Sequence, residues 1–201
     1  MAAVLTRAQA TPMLLAIGFD NAKRDYITAV RGFQTGWNLG QALKVDGVVG
    51  QKTSDALRLS FARKRKGQST MSPHFSFIEF RCNDGARFPE CKRIWVLRDH
   101  VRRLEAYRSK IDAPVRIVSG CRCPRHNAEV GGAKSSQHMY GTASDIEGLA
   151  SLREKQGFAL FAGLGFRSSN KRVVHVDSRD KGGHNLTSGK PAAPTTWEYA
   201  T

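Results

Sequence analysis

Apolar residues recur at helical intervals through the first sixty positions of the chain. Val4–Ile17 reads as a helix, and Tyr26–Trp37 spaces Ile27, Val30, Phe33 and Trp37 three and four residues apart. A turn is expected at Asp46-Gly47, with a further glycine at Gly50. Thr53 or Ser54 is then placed to cap a helix running to Ala62, with Ala56, Leu57 and Phe61 on its buried side. These elements predict a three-helix domain over residues 1–66. Lys64–Ser72 is basic and then rich in Gly, Ser and Thr, so residues 67–72 read as a linker.

The pattern changes in the second part. After Phe75–Phe80 and a loop rich in Gly, Asn and Pro, the residues Ile94, Leu97, Val101, Leu104 and Ile111 form one stripe. They predict a helix over Ile94–Lys110, stopped by Pro114. Short strands are expected at Val115–Val118, Ala143–Ile146 and Arg172–Val176, and a helix at Ser151–Gly163 packing Leu152, Phe158, Leu160 and Phe161. Residues 73–201 are therefore expected to form an α+β domain with a small antiparallel sheet.

The chain has 201 residues, enough to bury a core, and is 40% hydrophobic and 24% charged. No apolar stretch is long enough to cross a bilayer, so stable membrane insertion is not expected. The N-terminus lacks a basic region followed by a long apolar one, so a secretory signal is not expected either. The net charge of +15 calls for a polyanionic partner. It is dispersed: residues 1–66 carry 11 Lys/Arg against 4 Asp/Glu, leaving 21 against 13 for the remainder. An anionic cell envelope satisfies this balance. Nucleic acid is not expected, because no recognisable DNA- or RNA-binding motif accompanies the charge. The four cysteines, Cys82, Cys91, Cys121 and Cys123, contain no C-x-x-C pair. Buried thiols are the first expectation; a Cys82–Cys91 disulfide and a second, structural zinc are the alternatives.

The chemistry concentrates in Ser136–Asp145 and Val173–Asp177. Together they offer two imidazoles and a carboxylate, the ligand set of a catalytic zinc that keeps its fourth position for water. Such an ion supplies hydroxide near neutral pH and polarises a carbonyl. His138 and Asp145 are seven residues apart with Gly141 between them, which suits one ligand entering a turn and a second on the strand leaving it. Regular alternation in the last strand puts Val174 and Val176 on one face and His175 and Asp177 on the other. Each residue alone has an ordinary structural explanation; it is their combination that points to a site. Cysteine catalysis is disfavoured despite Arg122, Arg125 and His126 near Cys121 and Cys123, since no nucleophile elbow is present.

Ser119-Gly-Cys-Arg-Cys-Pro-Arg-His-Asn127, Gly131-Gly-Ala133, Ser136-x-His138-x-x-Gly141-x-Ala143-x-Asp145-Ile146 and Val174-His-Val-Asp177 closely resemble the zinc D-alanyl-D-alanine carboxypeptidase-like peptidases. Phe75-x-x-x-Glu79-Phe80-x-Cys82 and Trp197 also fit, and the likeness covers roughly residues 73–198. That group includes vancomycin-resistance dipeptidases and many phage endolysins, and shares its fold with the Hedgehog signalling domain. The resemblance implies that His138, Asp145 and His175 hold Zn²⁺. It implies that Arg122 binds substrate and stabilises the developing oxyanion, with Arg125 the next guanidinium along that loop. Many relatives carry a catalytic Glu or Asp three residues before the last zinc histidine. Here that residue is Arg172, which on a regular strand faces away from His175. Asp177 is therefore the candidate general base, the alternative being a carboxylate that orients a zinc histidine.

Ala29-Val30-x-x-Phe33-Gln34 and Asp46-Gly-Val-Val-Gly50-x-Lys52-Thr53-x-x-Ala56-Leu57 resemble the three-helix peptidoglycan-binding domain, with Phe33, Val49 and Leu57 as core and Gly47 and Gly50 as turn residues. The whole then implies a monomeric phage-type endolysin. It would be made in the host cytoplasm and act on peptidoglycan once another protein permeabilises the membrane. The bond cut is D-Ala–diamino acid or L-Ala–D-Glu. The alternatives are a bacterial wall-remodelling D,D-peptidase or carboxypeptidase, and a non-catalytic zinc-containing wall-binding protein.

Overall fold

The computed structural model describes residues 2–147, 160–169, 172–179 and 195–199. Three helices open the chain: α1 (Arg7–Ala16), α2 (Tyr26–Gly36) and α3 (Gln51–Arg65). Thr6 and Gln9 close a reciprocal capping box on α1, and Asp25 accepts from the Thr28 N–H at the start of α2. The start of α3 differs from expectation. Its cap is Gly50, in extended conformation, while Thr53 and Ser54 lie buried within the helix. Thr53 Oγ1 accepts from Gln34, and Ser54 Oγ from the Leu5 N–H.

Gln34 explains the Asp46–Gly50 motif. Its Nε2 donates to Asp46 Oδ1 (3.0 Å), Val48 O (3.0 Å) and Thr53 Oγ1 (3.3 Å), and its Oε1 accepts from Gly47 N (2.9 Å). One buried amide thus fixes the turn that leads into α3. Phe33 and Leu57 are fully buried and Val49 packs against them, while Ile27, expected in the stripe, is exposed.

The segment expected as a linker is docked. α3 runs past Ala62 to Arg65, and Thr70, Met71 and Ser72 are buried. Ser60 Oγ donates to Thr70 O (2.8 Å), and Asn38 N donates to Met71 O (2.9 Å). Met71 belongs to a core that runs without interruption from Leu14, Phe19 and Phe33 to Phe77, Leu104 and Val176. Phe77 stacks at 5.1 Å on Phe19 and 5.2 Å on Phe33, so both parts of the chain bury apolar surface in one cluster.

Helix α4 (Arg98–Ile111) begins later than its stripe suggests. Ile94 bridges to Arg81 in extended conformation, and the Leu97 N–H donates to Gly141 O. Asp99 in the first turn and Arg108 and Lys110 in the last match the helix dipole. A short helix α5 (Pro124–Glu129) starts on a proline. Strands β1 (Ile117–Ser119), β2 (Ala143–Ile146), β3 (Gly163–Arg167), β4 (Val173–Asp177) and β5 (Thr195–Tyr199) form one sheet in the order β1-β2-β4-β3-β5. All pairings are antiparallel except β3 with β5, which is parallel, so the sheet is mixed rather than purely antiparallel. The helix expected over Ser151–Gly163 falls mostly on residues outside the description; its last residue, Gly163, opens β3.

Strand β4 carries a bulge. Gly165 pairs with His175 but Phe166 pairs with Val173, leaving Val174 as an extra residue. Regular alternation is thereby broken: Val173 and Val176 face the core, while Val174 joins His175 on the opposite side.

Replacing Gln34 with Ala strands the buried Thr53 hydroxyl and the turn amides. Loss of about 2–3 kcal/mol is expected, read as a shift in the urea midpoint without a change of fold by circular dichroism.

Candidate metal centre

The site is written in the sheet register. Asp145 on β2 is paired directly with His175 on β4, and Ala143 with Asp177. Facing residues of an antiparallel pair bring their side chains together, so the ladder alone delivers one carboxylate and one imidazole to the same point. His138 arrives from the short 3-10 turn Gln137–Tyr140, which ends on Gly141 at φ +70°. A Cβ at Gly141 would meet the Trp95 carbonyl oxygen, so this reversal into β2 needs glycine.

The three donor atoms converge. His138 Nε2 lies 3.2 Å from Asp145 Oδ1 and 3.2 Å from His175 Nδ1, and His175 Nδ1 lies 2.9 Å from Asp145 Oδ1. Ligands on a tetrahedral ion with bonds of roughly 2.0–2.1 Å sit about 3.3 Å apart, so the set fits such an ion. Outer contacts leave the right lone pairs free. His138 Nδ1 donates to Gly120 O (2.6 Å), and His175 Nε2 donates to Asp177 Oδ2 (3.3 Å). Both histidines are buried, yet the cluster opens onto a cleft of about 990 Å³ lined also by Arg122, Gly132, Arg167, Arg172, Trp197 and Tyr199.

Arg122 lines this cleft. It donates through a terminal nitrogen to Asp145 Oδ2 and through Nε to Ser119 Oγ (3.3 Å). Arg125 does not reach the cleft; it stacks over Phe88 at 4.6 Å and pairs with Glu90. The bulge turns Arg172 onto the cleft wall, contrary to the orientation expected from a regular strand.

Asp177 lies where the alternative reading, a carboxylate that orients a histidine, places it rather than where a base facing the cleft would stand. It is fully buried and absent from the cleft wall. Both its oxygens are taken: Oδ1 accepts from Arg179 N (3.1 Å) and Nε (2.7 Å), and Oδ2 from His175 and the Arg179 terminal nitrogen. Gly163 makes room for it, since a Cβ there would overlap the carboxylate. Among the described residues, the carboxylates on the cleft wall are Asp145 and Glu147.

Burial alone would raise the Asp145 carboxyl, but hydrogen bonds with His138 and His175 outweigh it and hold the group well below the usual range. Burial is likewise outweighed at Asp177, by Arg179 and His175. His175 is pushed the other way: its two carboxylate partners overcome burial and raise it. Beneath the strands lies His100, invisible as a site residue in the sequence. Its ring joins Ser178 Oγ (2.7 Å) to Ser144 Oγ (2.9 Å), each next to a site residue. Full burial, then the nearby His138 and His175, bring it down to about 3. Arg179 was also missed, although His175-x-Asp177-x-Arg179 carries an alternation that could have revealed it.

Two imidazoles and a carboxylate meeting on a cleft wall, with the fourth direction open, define a centre of the metallohydrolase kind. The chain belongs to the peptidase M15 family, whose model matches residues 73–177, a little more than half of it. It is also similar to a zinc D-Ala-D-Ala carboxypeptidase of Streptomyces albus G, 27% identical over 171 residues, covering 76% of this chain and 60% of that protein. This chain thus spans about 60% of that relative's length. A match over 76% of the chain exceeds what residues 73–201 hold, so the likeness extends into the N-terminal helices.

Replacing Asp177 with Asn should weaken divalent-metal affinity by about 10–100-fold, measured by competition with a chelating dye. Excess metal should then restore most turnover; turnover that stays lost at saturating metal would return Asp177 to the role of base. Acid should destabilise the fold through His100. The unfolded imidazole takes up a proton near pH ~6.5, whereas the folded one resists until about 3. Stability therefore falls as pH drops through that window. His100→Gln should flatten the urea midpoint against pH there, and an unchanged slope would dismiss the assignment.

Proposed function

We propose that the chain is a zinc peptidase that hydrolyses an amide bond in the stem peptide or cross-link of peptidoglycan. The observation that carries this reading is the packing of His138, Asp145 and His175 donor atoms at 2.9–3.2 Å on the wall of an open cleft. His138, Asp145 and His175 would hold zinc there, and the ion would supply a nucleophilic water near neutral pH and polarise the scissile carbonyl. The chain's own residues do the rest. Gly120 O and Asp177 fix the two imidazoles, and Arg122 presents a cation beside the ligands, where negative charge develops on the carbonyl oxygen.

Arg122, Arg167, Arg172 and Arg179 all line the cleft. Stem peptides carry several carboxylates, so a wall of guanidiniums suits them. The relative from Streptomyces albus G is named for a D-Ala-D-Ala substrate, which favours a bond next to D-Ala here. Residues 1–66 are assigned to wall binding, and the +15 charge to concentrating the protein at an anionic envelope, an effect that salt weakens. The finer reading is a phage-type endolysin that reaches the wall after membrane permeabilisation. Its support is the pairing of the helical module with a peptidase cleft. Among the described residues no helix is long and apolar enough to cross a membrane.

Digestion of purified muropeptides, followed by mass spectrometry with and without a chelator, tests hydrolysis, metal dependence and bond choice together. New free amino groups are expected only without chelator. His175→Ala should abolish turnover and leave sedimentation with insoluble peptidoglycan unchanged. Normal turnover in that variant would sink the assignment.

A further inference from the structure

Away from the cleft, a second set of ligating side chains is buried. Cys82 follows the short helical turn Phe77–Phe80, Cys91 closes the loop after it, and Cys123 caps α5. One ligand atom from each of them and one from Asp84 all lie within 4.8 Å of one another. All four cysteines of the chain are buried and free of disulfides. Phe88 and Trp95 pack against them, and Arg93 and His126 make polar contacts with their sulfurs.

Asp84 gives the independent sign of a missing partner. It is fully buried, and its Oδ1 accepts from the Arg93 guanidinium and from Ala86 N (3.2 Å). Its Oδ2 is buried with no hydrogen-bond partner. A buried carboxylate oxygen without a partner is costly, and such an orphan calls for a ligand. Cys82 is also prepared. The Cys91 thiol, the Cys123 N–H (3.4 Å) and His126 Nδ1 (3.3 Å) all face its sulfur. The thiolate is the form that binds metal.

We propose that Cys82, Cys91, Cys123 and Asp84 hold a structural zinc ion, separate from the cleft. Three thiolates select a soft-tolerant ion, and four protein ligands leave no position for substrate. His126 supports the site from outside by its contact with Cys82. The ion anchors the loop 82–91 to the segment Gly120–Cys123. On that segment Cys121 and Cys123 point into the buried cluster, while Arg122 between them reaches Asp145 and Gly120 O holds His138. The second ion therefore braces the cleft from behind without touching it.

Cobalt titration of the full chain, purified under reducing conditions and stripped of metal, tests this. Two equivalents of Co²⁺ should bind, one of them producing thiolate-to-cobalt charge-transfer absorption in the near ultraviolet. The cleft offers no sulfur ligand, so His138→Ala should keep that band and lose the other equivalent. Cys91→Ser should lose the band. The native chain decides the matter even if that variant fails to fold. No charge-transfer band in the reduced native protein, or a Cys82–Cys91 disulfide in protein isolated without reductant, overturns the proposal.

Discussion

The pairing of β2 with β4 is the constraint on which the site rests. Asp145 faces His175 across that ladder, and a slip of one residue would send one of them to the core side of the sheet. Much of the surrounding structure holds this register. His100 ties Ser144 to Ser178 from below, so that both strands are pinned one residue beyond a site residue. The Ser178 N–H donates to Thr142 O, closing the open end of the ladder. On the far side, Gly163 and Gly165 of β3 lie opposite Asp177 and His175. With no side chains there, the Asp177 carboxylate can lie inward and the Trp197 ring can approach His175 to 5.1 Å.

Charge is distributed by the same geometry. Asp145 divides its oxygens between the two imidazoles and Arg122, and Asp177 divides its own between His175 and Arg179. Neither the partly buried Asp145 nor the fully buried Asp177 is left uncompensated, which is the condition for keeping charge inside a protein. Asp145 turns one oxygen to the imidazoles and the other to Arg122, so that cation could sit close to a metal held by the ligand set. The same guanidinium is left on the cleft wall.

What the sequence disclosed followed from period and glycine. Ala143–Ile146 was legible as a strand with its bounds, and Gly141 as the reversal before it, because small residues and alternation mark both. The convergence of His138, Asp145 and His175 was legible only as a combination. The bulge at Val174 was not, since nothing in Val-Val-His-Val distinguishes a bulged from a regular strand, and Arg172 was consequently turned the wrong way. Strand β3 hid behind its own glycines, which lower strand propensity while serving the site. The placement of Asp177 behind His175, with both oxygens taken, was available only in three dimensions. In the docked segment the signal was present: Met71 is an apolar residue amid Gly, Ser and Thr, and it fills the core.

That docking changes what a wall-binding role for the N-terminal helices implies. A flexible tether raises local concentration without fixing orientation, and lets a hydrolase sample many bonds around one anchored point. Here Phe19, Phe33 and Phe77 stack in one cluster, and the Arg98 guanidinium on α4 donates to Trp37 O and Gly40 O. A glycan bound to these helices would stand at a set distance and angle from the cleft. Under the proposed function reach would be traded for alignment: only stem peptides emerging at a matching position along the glycan would enter productively. Selectivity in such a protein would then reside partly in how its two portions are packed together, and substitutions in the shared aromatic cluster would alter it without touching metal or substrate.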